Sequence, residues 1–251
     1  MILGFDFDFM RILLAGGMLS IASLLDLRRR EVSDLLWIVF GAMAAVIYFL
    51  EFVSGMTFDV VAIALPICIS AASSYGIYRS GLFGGADALA LVTLAVILPT
   101  FSGGLIEQVI PNRHAFLLHP VAPIIVLSNT IIFSMSQILL NLGRNATYVL
   151  TKRGRLYQGL EQEPLIRKVF AVLIGYKTVS KPRYAFPLEQ VVDGKRQFSF
   201  AIRAAETAEY ESSENVWVTP GTPFLFFMLI GFFAMLFVGD VASLLISRVF
   251  K

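Results

Sequence analysis

Residues 10–30, MRILLAGGMLSIASLLDLRRR, decide the fold class: an apolar run rich in small residues passes directly into Asp26 and three arginines. Crossing about 30 Å of hydrocarbon takes about 20 largely apolar residues. This run is the first of six such stretches, near 10–26, 35–53, 58–78, 88–105, 120–142 and 223–246. Composition agrees, because 57% of the 251 residues are apolar and the mean hydropathy is +0.76, whereas soluble domains hold roughly 45–50% apolar residues. The chain therefore reads as an α-helical integral membrane protein with six transmembrane helices. The first run starts too near the N-terminus, and enters Asp26 too directly, for a cleaved leader with its own cleavage box. It is expected to be a membrane helix.

Orientation follows from the basic residues, since short loops rich in Lys and Arg stay in the cytoplasm. With the N-terminus outside, the inner side holds Arg28, Arg29 and Arg30, then Arg79, then the basic residues from Arg144 to Arg203. The outer side keeps only Arg11, Arg113, Arg248 and Lys251. The arginine triplet carries the most weight, because the rule is weaker for long segments. Arg28 to Arg30 are expected to fix this orientation and to meet anionic head groups. Asp26 and Asp87 then fall on the same, cytoplasmic face.

Three parts follow: residues 1–143 with helices 1–5, a cytoplasmic insert at 144–222, and residues 223–251 with helix 6 and a tail. The insert reads as a small mixed or β domain. Strands are expected at Tyr176–Val179, Arg183–Val192 and Arg196–Ile202, the last two flanking Asp193-Gly194, a dipeptide suited to a tight hairpin turn. Pro182 and Pro187 weaken the strand before that turn. At the re-entry sequence Trp217-Val218-Thr219-Pro220-Gly221-Thr222-Pro223, Trp217 suits the membrane interface, with Thr222 as N-cap and Pro223 as first helical residue.

An ionisable side chain at bilayer depth costs at least about 2.5–3.5 kcal/mol, so it is either kept for chemistry or held at a wet boundary. Asp26 closes the first apolar stretch and Asp87 opens the fourth, in Gly84-Gly85-Ala86-Asp87. Two facing carboxylates cannot both ionise at close range, so one takes a proton from water while the other, protonated, polarises a scissile carbonyl. Gly81, Gly84 and Gly85 would let a substrate backbone come close. In the simpler reading these glycines punctuate a loop and Asp87 caps its helix. Rival chemistries lack residues: Cys68 is the sole cysteine, and His114 and His119 fall in an outer loop, across the membrane from the acids.

The segment Asp26-Leu27-Arg28-Arg29-Arg30-Glu31-Val32-Ser33-Asp34, with Gly84-Gly85-Ala86-Asp87, resembles the two signatures of the type IV prepilin peptidases, a family of GxGD-type intramembrane aspartyl proteases. Within that family the chain is most similar to the archaeal preflagellin peptidases, and the likeness runs over nearly the whole chain. The resemblance implies a membrane aspartyl endopeptidase with Asp26 and Asp87 as catalytic residues. It also implies precursor archaellins or pilin-like proteins with short basic leaders as substrates, cleaved at the cytoplasmic face of the bilayer. No metal, cofactor or nucleic-acid partner is expected, and the oligomeric state is left open. The sequence departs from the family pattern at Ala86, where the box has its second glycine, and at Ser33, where a proline is common. With one cysteine it also lacks the four-cysteine segment of bacterial relatives.

Gly84, Gly85, Glu31 and Asp34 are candidate substrate contacts, the two acids by attracting a basic leader. The favoured reading of Asp34, however, is as the cap of the second helix, where the dipole favours an acid. Asp240, after Gly239, superficially echoes the second signature. It lies 17 residues beyond Pro223, about 26 Å along a helix, too far to join the pair. Two other classes compete. An ion-coupled transporter would use Asp26 or Asp87 as a proton relay, but such proteins tend to carry internal repeats and midplane acids. A prenyl or phosphoalcohol transferase would need closely spaced aspartates for magnesium-pyrophosphate, whereas Asp26 and Asp34 are separated by a basic loop.

Overall fold

The computed structural model describes residues 7–81, 84–101, 120–152, 156–192, 194–200 and 210–249. They form two compact units, Met1–Phe133 with Pro223–Lys251, and Ser134–Thr222. The first holds α1 (Phe7–Arg29), α2 (Asp34–Val53), α3 (Val60–Arg79), α4 (Gly85–Ile97), α5 (Ala122–Ser134), α8 (Phe224–Phe237) and α9 (Val241–Val249). The second holds α6 (Ser136–Lys152), α7 (Leu165–Ile174) and five short strands.

Helices dominate the first unit because hydrocarbon offers no partner for backbone N–H and C=O groups, and a helix satisfies them within itself. Two of their starts carry side-chain caps: Ser33 Oγ accepts from the Leu35 N–H at 3.4 Å, and Asp59 Oδ1 accepts from Val61 and Ala62 at 3.0 and 3.2 Å. Helix α1 lies at the centre, against α2, α4 and α8, while α3 packs on α4. The small residues of the first apolar run explain this position. Ala15 and Ala22 are fully buried beside Met18 and Leu19, and side chains as short as alanine's let neighbouring membrane helices approach closely. Helix α8 meets α5 in the same way at Gly231, where an added Cβ would lie 2.6 Å from Thr130 Oγ1 and 2.8 Å from the Val126 carbonyl. The outer faces of α2 and α3 expose Leu35, Ile38, Phe49, Val60 and Val61, as suits contact with lipid.

Among the described residues, four stretches are long and apolar enough to cross a bilayer: Phe7–Arg29, Asp34–Val53, Val60–Arg79 and Ala122–Thr151. Gly85–Ile97 and Phe224–Phe237 are apolar but shorter. The single helix expected over 223–246 is interrupted at Val238–Asp240, with Gly239 at φ +92°. Side chains satisfy the opened backbone. Asn129 Nδ2 donates to the Gly231 and Gly239 carbonyls at 3.2 and 3.0 Å, and its Oδ1 accepts from Val241 N–H at 2.9 Å. Asp240 Oδ1 accepts from Ala242 and Ser243 N–H at 3.1 and 3.3 Å, capping α9. The acid that echoes the second signature thus has a local structural task.

Away from the end that carries Asp26, Arg11 is buried rather than a surface charge. Its Nη2 and Nε meet the two oxygens of Glu51 at 2.7 and 3.3 Å, its Nη1 donates to the Ile97 carbonyl at 3.0 Å, and its guanidinium lies 3.9 Å from the Tyr48 ring centre. This knot ties α1, α2 and α4 together.

In the second unit, β1 (Tyr176–Lys177), β5 (Trp217–Pro220) and β2 (Ala185–Pro187) form an antiparallel sheet in the order β1-β5-β2. Strands β3 (Glu189–Val192) and β4 (Lys195–Phe198) form a hairpin. The hairpin turns where the sequence places it, with Val192 opposite Lys195 and Gly194 at φ +74°; Asp193 lies outside the described residues. The strand expected over Arg183–Val192 is instead two strands in two sheets. Leu188 is the changeover, donating its N–H to the Trp217 carbonyl and accepting from Ser199 N–H, both at 2.9 Å, while Pro187 ends β2 because it has no N–H to extend a ladder. Trp217 is not at a lipid interface. It is fully buried in the small core with Leu160, Ala171, Leu188 and Phe198, stacked on Tyr157 at 5.7 Å. The cap of α8 is Pro223, one residue later than expected.

Breaking a buried ion pair leaves one charge uncompensated, at about 3–5 kcal/mol. Arg11→Met or Glu51→Leu alone is expected to lower the thermal midpoint in detergent strongly. The double variant Arg11→Met/Glu51→Leu should regain most of that loss, as thermal unfolding of the three proteins will show.

Candidate active site

Asp26 stands in the last turn of α1, so its side chain reaches the helix end where the three arginines follow. Asp87 is the third residue of α4 after the N-cap Gly84, and its Oδ2 accepts the Gly84 N–H at 3.1 Å. A carboxylate there satisfies one of the unpaired N–H groups of the first turn. The local capping role and a chemical role thus fall on the same side chain.

Close packing of α1 against α4 and α8 brings the two acids together. The Asp26 and Asp87 carboxyls lie within each other's electrostatic reach, and Arg30 acts on both. Arg30 Nη1 is 3.7 Å from Asp26 Oδ1, with the Arg30 side chain 17% exposed and that of Asp26 14% exposed. The backbone of Leu225, at the start of α8, also reaches the Asp26 carboxyl. Asp26 Oδ2 is buried with no hydrogen-bond partner among the described residues, so one acceptor is left for an incoming group.

Arg30 belongs to this site rather than to the head groups, where the sequence alone places it with Arg28 and Arg29. Those two are exposed, whereas Arg30 folds back over the end of α1. Its N–H donates to the Asp26 carbonyl at 3.1 Å, and its φ is +58°. That left-handed conformation costs an ordinary L-residue roughly 1–2 kcal/mol. The signal available in the sequence is spacing, since residues four apart on a helix face each other and Arg30 follows Asp26 by four.

The other sequence candidates are more peripheral. Gly84 is the N-cap of α4 in an extended conformation, and Gly85 is its first helical residue. A Cβ on Gly84 would meet Asp87 Oδ2 at 3.6 Å, an ordinary contact, so the fold itself does not require glycine there. Glu31 and Asp34 are exposed, and no hydrogen bond or ion pair among the described residues ties either to Asp26 or Asp87. Ser33, not Asp34, caps α2; Asp34 is the first helical residue, where its charge still suits the helix dipole. Cys68 is exposed on α3, and His114 and His119 lie outside the described residues.

Residues 165–241 match the family described as Archaeal Peptidase A24 C-terminus Type II. A preflagellin peptidase of Methanocaldococcus jannaschii is 23% identical over 231 residues, covering 88% of this chain and 91% of the relative. The chain is thus similar to an archaeal preflagellin peptidase over most of its length. Both matches indicate a protease, and they support a prepilin or preflagellin peptidase role. With its long apolar helices, this chain is a multi-pass membrane protein. The family match covers α7, the three-stranded sheet, the hairpin and α8, while both acids lie outside it.

Proposed function

We propose that this chain is a membrane aspartyl endopeptidase that removes a short basic leader from archaellin or type IV pilin-like precursors, with Asp26 and Asp87 as its catalytic pair. The observation that carries this reading is the convergence of two acids from α1 and α4 on one site, each within the other's field. One carboxylate takes a proton from water; the other, protonated, polarises the scissile carbonyl and then gives its proton to the leaving amine. No metal takes part in these steps.

The reading includes six membrane crossings, with α4 and α8 as the short ones, and the N-terminus outside. The arginine triplet after α1 supports it, since it keeps that end in the cytoplasm, and a leader emerging from the cytoplasmic face then meets the pair directly. Gly84 supports it too, because its empty Cβ position is not used by the fold and leaves room for an extended substrate backbone. Glu31, exposed on the link between α1 and α2, and Asp34, exposed at the start of α2, are placed to attract a basic leader. A proton-coupled transporter is less favoured, since both acids sit at helix ends rather than at the midplane.

Purified protein in detergent is expected to cut a precursor between its basic leader and the hydrophobic helix that follows, and to do so in EDTA. Asp26→Asn and Asp87→Asn should each abolish cleavage while the protein remains folded and inserted. Full cleavage by either variant, or loss of activity in EDTA, overturns the assignment. A separate expectation concerns Gly84→Ala: stability should change by less than about 0.5 kcal/mol, while KM for the precursor rises. An unchanged KM would remove Gly84 from the substrate path.

A further inference from the structure

We propose that Arg30 is a positioning residue of the acidic pair, a fixed cation that holds Asp26 as the ionised member and leaves the shared proton to Asp87. The inference rests on the aspartyl reading above and adds an assignment of roles: Asp26 as the base that takes the proton from water, Asp87 as the acid toward the scissile carbonyl.

Backbone geometry is the first support. Helix α1 ends in a left-handed residue whose N–H closes on the Asp26 carbonyl at 3.1 Å. Glycine fills that slot most readily, since a side chain there is strained. An arginine held at φ +58° needs compensation from its side chain, and the side chain provides it by turning back to Asp26, Nη1 to Oδ1 3.7 Å. Val32, two residues on, packs against the main core and holds the reversed chain in place. Arg28 and Arg29 on the preceding turn remain exposed.

The second support is the inequality between the two acids. Beyond their mutual field, Arg30 and the Leu225 backbone reach Asp26, and the Gly84 N–H and Arg30 reach Asp87. Arg30 is thus a cation that both acids feel, and it makes an ion pair with Asp26. A full positive charge beside one carboxylate favours its ionised form more than a neutral amide N–H favours the other's. With one proton between two carboxyls, that difference decides where it resides. An arginine serves better than a lysine only if its fork geometry matters; the charge alone is what role assignment requires.

The test is steady-state cleavage of a synthetic precursor peptide, with basic leader and hydrophobic segment, across pH. It compares Arg30→Gly, Arg30→Lys and Arg30→Gln with the unchanged enzyme and with inactive Asp26→Asn. Glycine keeps the left-handed turn and removes the charge, so Arg30→Gly is expected to melt no lower than the unchanged protein. Its KM should stay within about twofold, because Arg30 does not hold substrate. Its acid limb should move up by about one pH unit or more, since a base without its cation stays protonated to higher pH. Along that limb kcat falls about tenfold for each pH step of one. Arg30→Lys should recover most of kcat and the original profile. If Arg30→Gly does not fold, Arg30→Gln is read by the same criteria. Unchanged kcat and pH profile in a folded, charge-free variant, or a rise in KM with kcat intact, overturns the role given to Arg30 and leaves the pair standing. Full cleavage by Asp26→Asn overturns the pair itself, and the role of Arg30 with it.

Discussion

The fully buried face of α1, Ala15, Met18, Leu19 and Ala22, is the contact on which the remainder of this unit depends. In a bilayer there is little hydrophobic drive between helices, and close van der Waals packing of small residues takes its place. Helices α4 and α8 close on that face of α1, and their N-terminal ends arrive beside its C-terminal turn. That turn carries Asp26, α4 carries Asp87 in its first turn, and α8 adds the backbone of Leu225. Packing in mid-helix therefore sets the approach of the acids at the helix end.

Guanidinium groups, one buried and one half-buried, secure the two ends of the same helix, with different consequences. Arg11 is fully matched: two contacts to Glu51, a carbonyl of α4 and the face of Tyr48. A group so completely partnered is structural. Arg30 sits in a strained turn with a longer contact, 3.7 Å, to one acid of a pair. Left-handed side-chain-bearing residues tend to mark functional sites, where the surroundings hold a conformation that propensity disfavours.

The two acids stand out in the sequence because each lies at the end of an apolar run, and the charge asymmetry leads to the expectation of a common face. Pattern also locates α1, α2 and α3 and the Gly194 hairpin, since each has an apolar run of spanning length or a decisive turn residue. What escapes such a reading depends on long-range partners. The break at Val238–Asp240 is stabilised by Asn129 from α5, and nothing near Gly239 announces that support. Trp217 looks interfacial by type, but β5 is the central strand of its sheet and buries it. Leu188 divides one apparent strand into two through bonds to Trp217 and Ser199. Arg11 and Arg30 count as topology charges in the sequence, and only the folded chain distinguishes a cation in lipid head groups from one turned inward.

Aspartyl chemistry here requires Asp26 and Asp87 to share one site. The most direct measurement replaces both with cysteine in a Cys68→Ala background, in membranes, and applies a short ethanediyl-bridged bifunctional thiol reagent. Mass analysis of the intact chain then counts linkers and free thiols. One linker joining both positions, with no intermolecular product, is the predicted result. Two singly modified thiols and no bridge would contradict a common site for the two acids.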